Sequence, residues 1–237
     1  MLEVDNVQAG YGKALIVDGV SINVPTGSIV ALLGGNGTGK STTLRAIFGL
    51  VKPVGGDVRL NGESLVGLKP PSIVAKGLTL VPQGKEAFAD MTVKENLLLG
   101  AYLLRRDRSA VAAALAAVMD RFPRLGELAG RRAGHLSGGE RQLLALGRAL
   151  MSRPKAMLLD EPSAALSPRV VAQIADEVRK LRADGMTVLL VEQNVNLALK
   201  LAERLYLIKD GRIALERAVV PGDTGADLQS YYFGVKE

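Results

Sequence analysis

The 237-residue sequence predicts an α/β fold with a parallel-sheet core, an N-terminal antiparallel β subdomain and an inserted helical subdomain. The apolar run Ile29–Leu33 is too short for a helix and too continuous for a half-exposed strand. We therefore expect it in the centre of a parallel sheet, buried on both faces. Residues 2–7 alternate apolar and polar side chains, as in a strand with one covered face. From about residue 84 to 152, helical spacing recurs and no strand signal intervenes.

The remaining elements are predicted from the same periodicities and from turn residues. Further strands are expected at 16–24, 57–61, Leu78–Val81, Ala156–Asp160 and Thr187–Glu192, with a hairpin at Arg204–Lys209 and 212–216. Helices are expected at 41–50, 91–104, 110–122, 138–151, 168–181 and 225–233. Thr92 and Ser137 are expected N-caps. The chain shows no repeat, low-complexity stretch or linker, so we interpret residues 1–237 as a single domain.

Composition excludes several kinds of site. The absence of cysteine excludes disulfides and thiol catalysis, and a single histidine, His135, leaves little material for a zinc site. No apolar run approaches the roughly 18 residues of a membrane span, and we expect no signal peptide at the N-terminus. The net charge of +6 suits a polyanionic partner, but the basic residues are dispersed apart from 105–108 and 131–132. We expect these clusters to be solvated surface rather than a nucleic-acid track.

The glycine-rich segment after the buried strand fits the phosphate-binding pattern G-x-x-x-x-G-K-[ST]. With the residue that follows it, the segment supplies the candidate ATP-binding residues Gly34, Gly35, Asn36, Gly37, Thr38, Gly39, Lys40, Ser41 and Thr42. Glycines let backbone N–H groups approach phosphate oxygens, and a helix that begins near Gly39 directs its positive end at them. Lys40 would bind the β- and γ-phosphates, and the Ser41 hydroxyl would ligate Mg²⁺. An ordinary glycine-rich turn is the alternative interpretation.

Two acidic residues lie at the end of the predicted strand Ala156–Asp160. Ligands bind beyond the carboxyl ends of the strands in an open parallel sheet. Asp160 is therefore the candidate Mg²⁺ ligand, directly or through water, and Glu161 is the candidate base for the attacking water. A cation and Lys40 would offset the repulsion between the two carboxylates. The alternative is an acidic turn that caps the next helix.

Ser137-Gly138-Gly139-Glu140 is a second candidate anion site. A serine N-cap and two glycines at a helix start would expose backbone N–H groups and a hydroxyl at the positive helix end. Glycine is a poor helix former, so close approach of a phosphate would explain its presence. The alternative is an ordinary capping box between Ser137 and Glu140, in which the glycines are tolerated for packing.

The order of these segments resembles that of the ATP-binding subunits of ABC transporters, over essentially the whole chain. The phosphate loop, Gln83, LSGGE at 136–140, LLDEP at 158–162 and Gln193 all occur in the family's order. The resemblance implies a P-loop NTPase (RecA-like) core, with the signature LSGGE in the helical subdomain. It also implies that Tyr11 stacks on adenine, and that Gln83 contacts Mg²⁺ and senses a membrane partner.

The same resemblance implies partners for the chain. Two such ATPases, identical or paralogous, would dimerise head to tail, so that Ser137, Gly138 and Gly139 bind the γ-phosphate of the partner's nucleotide. Integral-membrane permease subunits would hold the dimer at the cytoplasmic face of the membrane. An extracytoplasmic substrate-binding protein would be an indirect partner.

Two positions depart from the wider family and suggest a subfamily. Gln193 stands where a histidine is usual, and Ser167 stands where an aspartate is usual. The Gln193 amide can donate a hydrogen bond to the γ-phosphate but does not titrate near neutral pH. VEQN at 191–194 resembles the shorter ATPase of branched-chain amino acid importers, so we expect uptake of hydrophobic amino acids. A urea or amide importer is the alternative, and a soluble ATPase acting on nucleic acid is a further one.

Overall fold

The structure is a computed structural model and describes residues 1–84 and 87–228. Its strands are β1 (Leu2–Tyr11), β2 (Ala14–Val24), β3 (Ile29–Leu33), β4 (Gly55–Leu60), β5 (Glu63–Ser64), β6 (Leu78–Val81), β7 (Ala156–Asp160), β8 (Thr187–Glu192), β9 (Arg204–Lys209) and β10 (Arg212–Ala218). Its α-helices are α1 (Lys40–Ile47), α2 (Pro70–Ala75), α3 (Val93–Gly100), α4 (Arg108–Arg121), α5 (Pro123–Glu127), α6 (Gly138–Leu150), α7 (Pro168–Ala183) and α8 (Val195–Leu201). Short 3₁₀ helices occupy Tyr102–Leu104 and Ala133–His135.

The larger sheet has six strands in the order β10-β9-β3-β8-β7-β6. Strand β3 pairs in parallel with both neighbours, and all five of its residues are buried, which confirms the predicted central strand. Strands β6, β7 and β8 continue the parallel arrangement, whereas β10 pairs antiparallel with β9 in the predicted hairpin. The parallel strands therefore present their carboxyl ends, and the loops that follow them, at one edge of the sheet.

The smaller sheet is antiparallel, with the order β2-β1-β4-β5, and it confirms the predicted β subdomain. Apolar residues of β1 and β2 alternate with exposed polar ones, because only one face of this sheet is covered. The covered face packs with one side of the larger sheet in a single apolar core that includes Val20, Val30, Leu32 and Ile47. This core places the N-terminal strands beside α1, the helix that follows the phosphate loop.

Helices α3 to α6 form the predicted helical subdomain, which packs on the opposite face of the larger sheet. Ala31 and Leu33 share a core there with Leu97, Leu125 and Leu144 of the helices. Alternate residues of β3 thus serve two different cores. This two-sided burial explains why the strand is apolar throughout.

Both expected N-caps of the helical subdomain are confirmed. The Thr92 hydroxyl accepts a hydrogen bond from the Glu95 N–H, and the Ser137 hydroxyl accepts one from the Glu140 N–H, each at 3.2 Å. Each glutamate side chain in turn accepts from the backbone N–H of its capping residue, so two full capping boxes are present. The start of α6, and with it the LSGGE segment, is therefore fixed by local hydrogen bonds.

The structure differs from the predicted elements in several places. The short helices α2, α5 and α8 were not predicted, because segments of five to seven residues are too short to show a helical period. The predicted helix at 91–104 is divided: α3 ends at Gly100, and a 3₁₀ turn follows. A Cβ at Gly100 would lie 2.0 Å from the Arg148 carbonyl oxygen, so α3 and α6 approach each other closely there. The predicted helix at 225–233 lies partly outside the described residues.

None of the helices in the described part of the chain has the length and apolar content that crossing a bilayer requires.

Candidate functional site

Four segments that follow parallel strands meet at the carboxyl edge of the larger sheet. They are the loop after β3 and the residues that directly follow β6, β7 and β8. Direct contacts connect the side chains of Asn36, Lys40, Ser41, Gln83, Asp160, Glu161 and Gln193 into pairs and networks at this edge. The fold thus brings these sequence-predicted residues together at one edge of the sheet.

The loop between β3 and α1 depends on two glycines with positive φ. Gly37 has a φ of 77° and Gly39 a φ of 107°, values that L side chains rarely adopt. The Thr38 hydroxyl closes the loop by donating to the Gly35 carbonyl oxygen at 3.0 Å. A Cβ at Gly37 would have no atom within 4 Å, so the loop keeps one open side toward which a phosphate can approach.

Lys40, the first residue of α1, is almost completely buried. Its ammonium group donates to the carbonyl oxygens of Gly34 and Gly35 at 2.9 and 2.7 Å. The same nitrogen lies 3.3 Å from Glu161 Oε1 in a buried ion pair, with side-chain exposures of 4% and 9%. A triphosphate bound to the loop would offer this ammonium group a second anionic partner.

Glu161 receives donors from three separate segments of the chain. Besides Lys40, the amide of Gln193 donates to Glu161 Oε1 and the amide of Gln83 to Oε2, each at 2.9 Å. Gln193 also donates to Asn36 Oδ1 of the phosphate loop at 2.6 Å. The carboxylate is thus fixed in place, and its donors come from the segments that the sequence pattern singled out.

The backbone at Glu161 adopts a left-handed conformation. Its φ of 45° is uncommon for a residue with a side chain. The Glu161 N–H donates to the Val191 carbonyl oxygen of β8 at 2.9 Å, and the Ala164 N–H donates to the Glu161 carbonyl oxygen at 3.1 Å. Such backbone strain is concentrated at functional sites.

Asp160 lies beside the hydroxyl of Ser41, 3.5 Å from Oγ to Oδ1. Burial, and then the negative charge of Glu161, raise the pKa of Asp160 above its usual range. A carboxylate and a hydroxyl are oxygen ligands of the kind Mg²⁺ takes, usually together with substrate phosphates. Within the described residues, no group of three or more His, Cys, Asp or Glu side chains is placed to hold a metal. These two residues would fit a cation that takes further ligands from a phosphate group.

Tyr11 ends β1 and is 47% exposed. Its hydroxyl accepts a hydrogen bond from Arg45 of α1 at 3.1 Å, and this bond is the main reason why the pKa of Tyr11 is lowered. The tyrosine therefore lies over the helix that follows the phosphate loop. Its ring is available for stacking on a base.

The LSGGE segment contacts other parts of the helical subdomain and α7. Glu140 pairs with Arg124 at 3.0 Å, and a Cβ at Gly139 would lie 2.9 Å from Val170 of α7. The segment lies half-exposed at the start of α6, in the helical subdomain. His135, directly before the segment, is exposed.

Comparison with known proteins identifies the family. The family model described as ABC transporter matches residues 17–164. The high-affinity branched-chain amino acid transport ATP-binding protein BraG of Pseudomonas aeruginosa is 46% identical over 96% of this chain and 94% of its own length. The chain belongs to the ABC transporter family. A probable branched-chain amino acid transport ATP-binding protein, LivF of Archaeoglobus fulgidus, is 42% identical over 90% of each chain.

Solved structures agree with the architecture of this ABC ATPase. A nucleotide-free ATP-binding cassette from an ABC transporter matches with a TM-score of 0.88 and 28% identity, over 100% of this chain and 99% of that one. A dimeric cassette in a post-hydrolysis state, bound to ADP and Pi, matches with a TM-score of 0.80 and 27% identity, over 93% and 99%. The chain is thus an ATP-binding, ATP-hydrolysing cassette.

Sequence reasoning missed two residues of this ABC ATPase site. Arg45 contacts Tyr11, and Glu192 accepts hydrogen bonds from the loops that follow β7 and β8. The available signal for Glu192 was a charged residue that ends an otherwise apolar, fully buried strand. No comparable signal distinguishes Arg45 from the chain's other arginines.

We predict that Asp160→Asn stabilises the chain at neutral pH in buffer without metal or nucleotide. The raised pKa of Asp160 means that its ionised form is less stable in the folded chain than in the unfolded chain, which lowers the free energy of unfolding at neutral pH. This destabilisation is absent below the pKa of an aspartate in the unfolded chain, about 3.9. The melting temperature should therefore rise at pH 7.5, and the gain should shrink toward pH 4.5.

Asp57→Asn is the matched control, for which we expect the melting temperature to change in the opposite direction. The Ser64 hydroxyl is the main cause of the lowered pKa of Asp57, so the ionised form stabilises the fold at neutral pH. Its substitution should lower the melting temperature at pH 7.5. Equal destabilisation by both substitutions would contradict the account of Asp160.

Proposed function

We propose that ATP hydrolysis by this chain powers import of branched-chain or other hydrophobic amino acids through a separate permease. The proposal rests on the likeness to BraG and LivF, over nearly their full length, combined with the residue network around Glu161. VEQN at 191–194, which the sequence pattern linked to such importers, belongs to this network through Gln193. The amino acid itself would be selected by the permease and an extracytoplasmic binding protein.

The proposed catalytic role of Glu161 is that of general base. Its carboxylate would accept the proton of the water that attacks the γ-phosphate, which requires a fixed acceptor beside the phosphate loop. The amides of Gln83 and Gln193 orient this carboxylate from two sides. We propose that Lys40 binds the β- and γ-phosphates and that the N–H groups of residues 34–42 surround them.

Asp160 and Ser41 are the proposed protein ligands of Mg²⁺, with Gln83 as an additional contact. When bound, the ion would neutralise phosphate charge. The raised pKa of Asp160 shows that burial disfavours its charge, which a cation would compensate. Tyr11 is the proposed adenine contact, since its exposed ring lies above α1.

We propose that Ser137, Gly138, Gly139 and Glu140 act on the nucleotide of a second ATPase. Their place at the start of α6 in the helical subdomain, on a different element from the Lys40 loop, supports this proposal, as does the dimeric cassette among the similar structures. A head-to-tail pair with two-fold symmetry brings each signature to the other chain's phosphate loop. The second chain is either another copy or a paralogue.

A groove beside Gln83 is the proposed docking site of the permease. It has a volume of about 540 Å³ and is lined mainly by apolar side chains, including Phe88 and Tyr102, which are 56% and 61% exposed. Pro82 and Ala87, on either side of Gln83, also line it. A permease helix in this groove would press on the segment that carries Gln83, whose amide contacts Glu161. The chain would then lie peripherally on the inner face of the membrane.

We predict that Glu161→Gln lowers the rate of ATP hydrolysis by about 10²–10⁴-fold, because an amide cannot accept the proton of water. ATP binding should be retained, since Lys40 and the loop amides remain. Steady-state phosphate release and equilibrium ATP binding measure the two effects. The control is Glu177→Gln, which removes a different buried carboxylate, on α7, and should leave turnover unchanged. Undiminished turnover in Glu161→Gln would disprove the base.

Uptake by cells tests the transport function. Cells in which this chain carries Glu161→Gln should lose uptake of labelled leucine, isoleucine and valine but keep uptake of urea. Loss of urea uptake alone would favour the urea importer. Salt-sensitive stimulation of turnover by DNA or RNA would favour the soluble ATPase instead.

A further prediction concerns Gln193. If its amide only donates hydrogen bonds, the pH profile of turnover should lack a step near the usual pKa of histidine, about 6.5. Gln193→His should leave a working enzyme, because a histidine N–H can also donate. A folded but inactive Gln193→His variant would count against the hydrogen-bond role.

A further inference from the structure

Glu192 is a buried carboxylate to which the proposed mechanism gives no role. It ends β8, and only 2% of its surface is exposed. Burial raises its pKa, and hydrogen bonds from Ser163, Asn194 and Gln193 act in the opposite direction. A carboxylate in such a place is retained only where donors compensate its desolvation.

Three backbone N–H groups from two different loops donate to this carboxylate. Ser163, in the loop that follows Glu161, donates its N–H to Glu192 Oε1 at 3.1 Å. The N–H groups of Gln193 and Asn194 donate to Oε2 at 3.2 and 3.3 Å, at the start of the segment after β8. One side chain therefore joins the loop after β7 to the loop after β8.

These contacts of Glu192 lie next to Glu161 and Gln193 in the chain. The Glu161 N–H donates to the Val191 carbonyl oxygen of β8. Ser163, two residues after Glu161, donates its N–H to Glu192. Gln193 follows Glu192 directly, and its amide donates to Glu161 Oε1 at 2.9 Å. The loop that carries Glu161 and the backbone of Gln193 are thus both hydrogen-bonded to the carboxylate of Glu192.

We propose that Glu192 is a positioning residue that holds the loops of Glu161 and Gln193 in a fixed relation. It fixes the distance between the Glu161 carboxylate and the Gln193 amide without touching the nucleotide. The inference rests on the proposed function, which makes Glu161 the base.

A carboxylate suits this task because both of its oxygens accept hydrogen bonds. Glutamine would turn an NH₂ group toward at least one N–H donor and so lose at least one of these hydrogen bonds. Glu192→Asp would keep both acceptors but withdraw them by one methylene. Small misplacements of reacting groups reduce rates strongly, by as much as about 100-fold for 1 Å.

The test separates positioning from structural support. In the full chain, Glu192→Gln should lower kcat for ATP hydrolysis by roughly 10- to 100-fold. The dissociation constant for ATP should stay within about twofold, because the hydrogen bonds of Glu192 go to Ser163, Gln193 and Asn194 rather than to the Lys40 loop. The melting temperature should fall no further than that of Glu177→Gln, the buried-carboxylate control. Glu192→Asp should show the same split with a smaller loss, and it carries the test if Glu192→Gln does not fold.

A double-substitution cycle checks the route of the effect. If Glu192 acts through Gln193, the loss caused by Glu192→Gln should be smaller when Gln193→Ala is already present. The inference would be overturned if Glu192→Gln left kcat unchanged, or if kcat, ATP affinity and melting temperature all fell together. It would also be overturned if the losses of kcat caused by the two substitutions simply multiplied in the double variant. Wild-type turnover in Glu161→Gln would instead overturn the proposed base, so the two failures are distinguishable.

Discussion

The interaction on which the site depends is the convergence of three donors on the carboxylate of Glu161. Lys40, Gln83 and Gln193 come from segments that are far apart in the sequence, yet each contacts this group. Only an open parallel sheet with β3, β8, β7 and β6 in adjacent positions brings their carboxyl ends to one edge. The apolar strands and their two cores therefore set the geometry in which phosphate chemistry takes place.

Much of this arrangement was predictable from the sequence, for identifiable physical reasons. Ile29–Leu33 is apolar on both faces because two cores need it, so its strand was predicted with its observed bounds. The glycines, Lys40 and Ser41 follow a fixed spacing because backbone N–H groups must surround phosphates. The proximity of Ser41 and Asp160 follows from the shared edge of a parallel sheet.

Other features depend on tertiary contacts that leave no local pattern. The hydrogen bond between Gln83 and Glu161 joins residues 78 positions apart, and neither periodicity nor spacing encodes it. The division of the predicted helix at 91–104 reflects the close approach of Gly100 to α6. The role inferred for Glu192 likewise requires knowing that Ser163 and Asn194 converge on one buried side chain. Sequence patterns identify chemical groups, whereas the fold decides which of them meet.

The central claim is that Glu161 faces the γ-phosphate while Lys40 binds the phosphates. A crystal structure of the full chain with Mg²⁺ and a non-hydrolysable ATP analogue tests this claim most directly. The account predicts Lys40 Nζ within hydrogen-bond distance of the β- and γ-phosphates, Mg²⁺ between Ser41 and Asp160, and the Glu161 carboxylate one water molecule from the γ-phosphorus. A triphosphate bound away from the loop, or a Glu161 carboxylate turned away from the γ-phosphate, would contradict it.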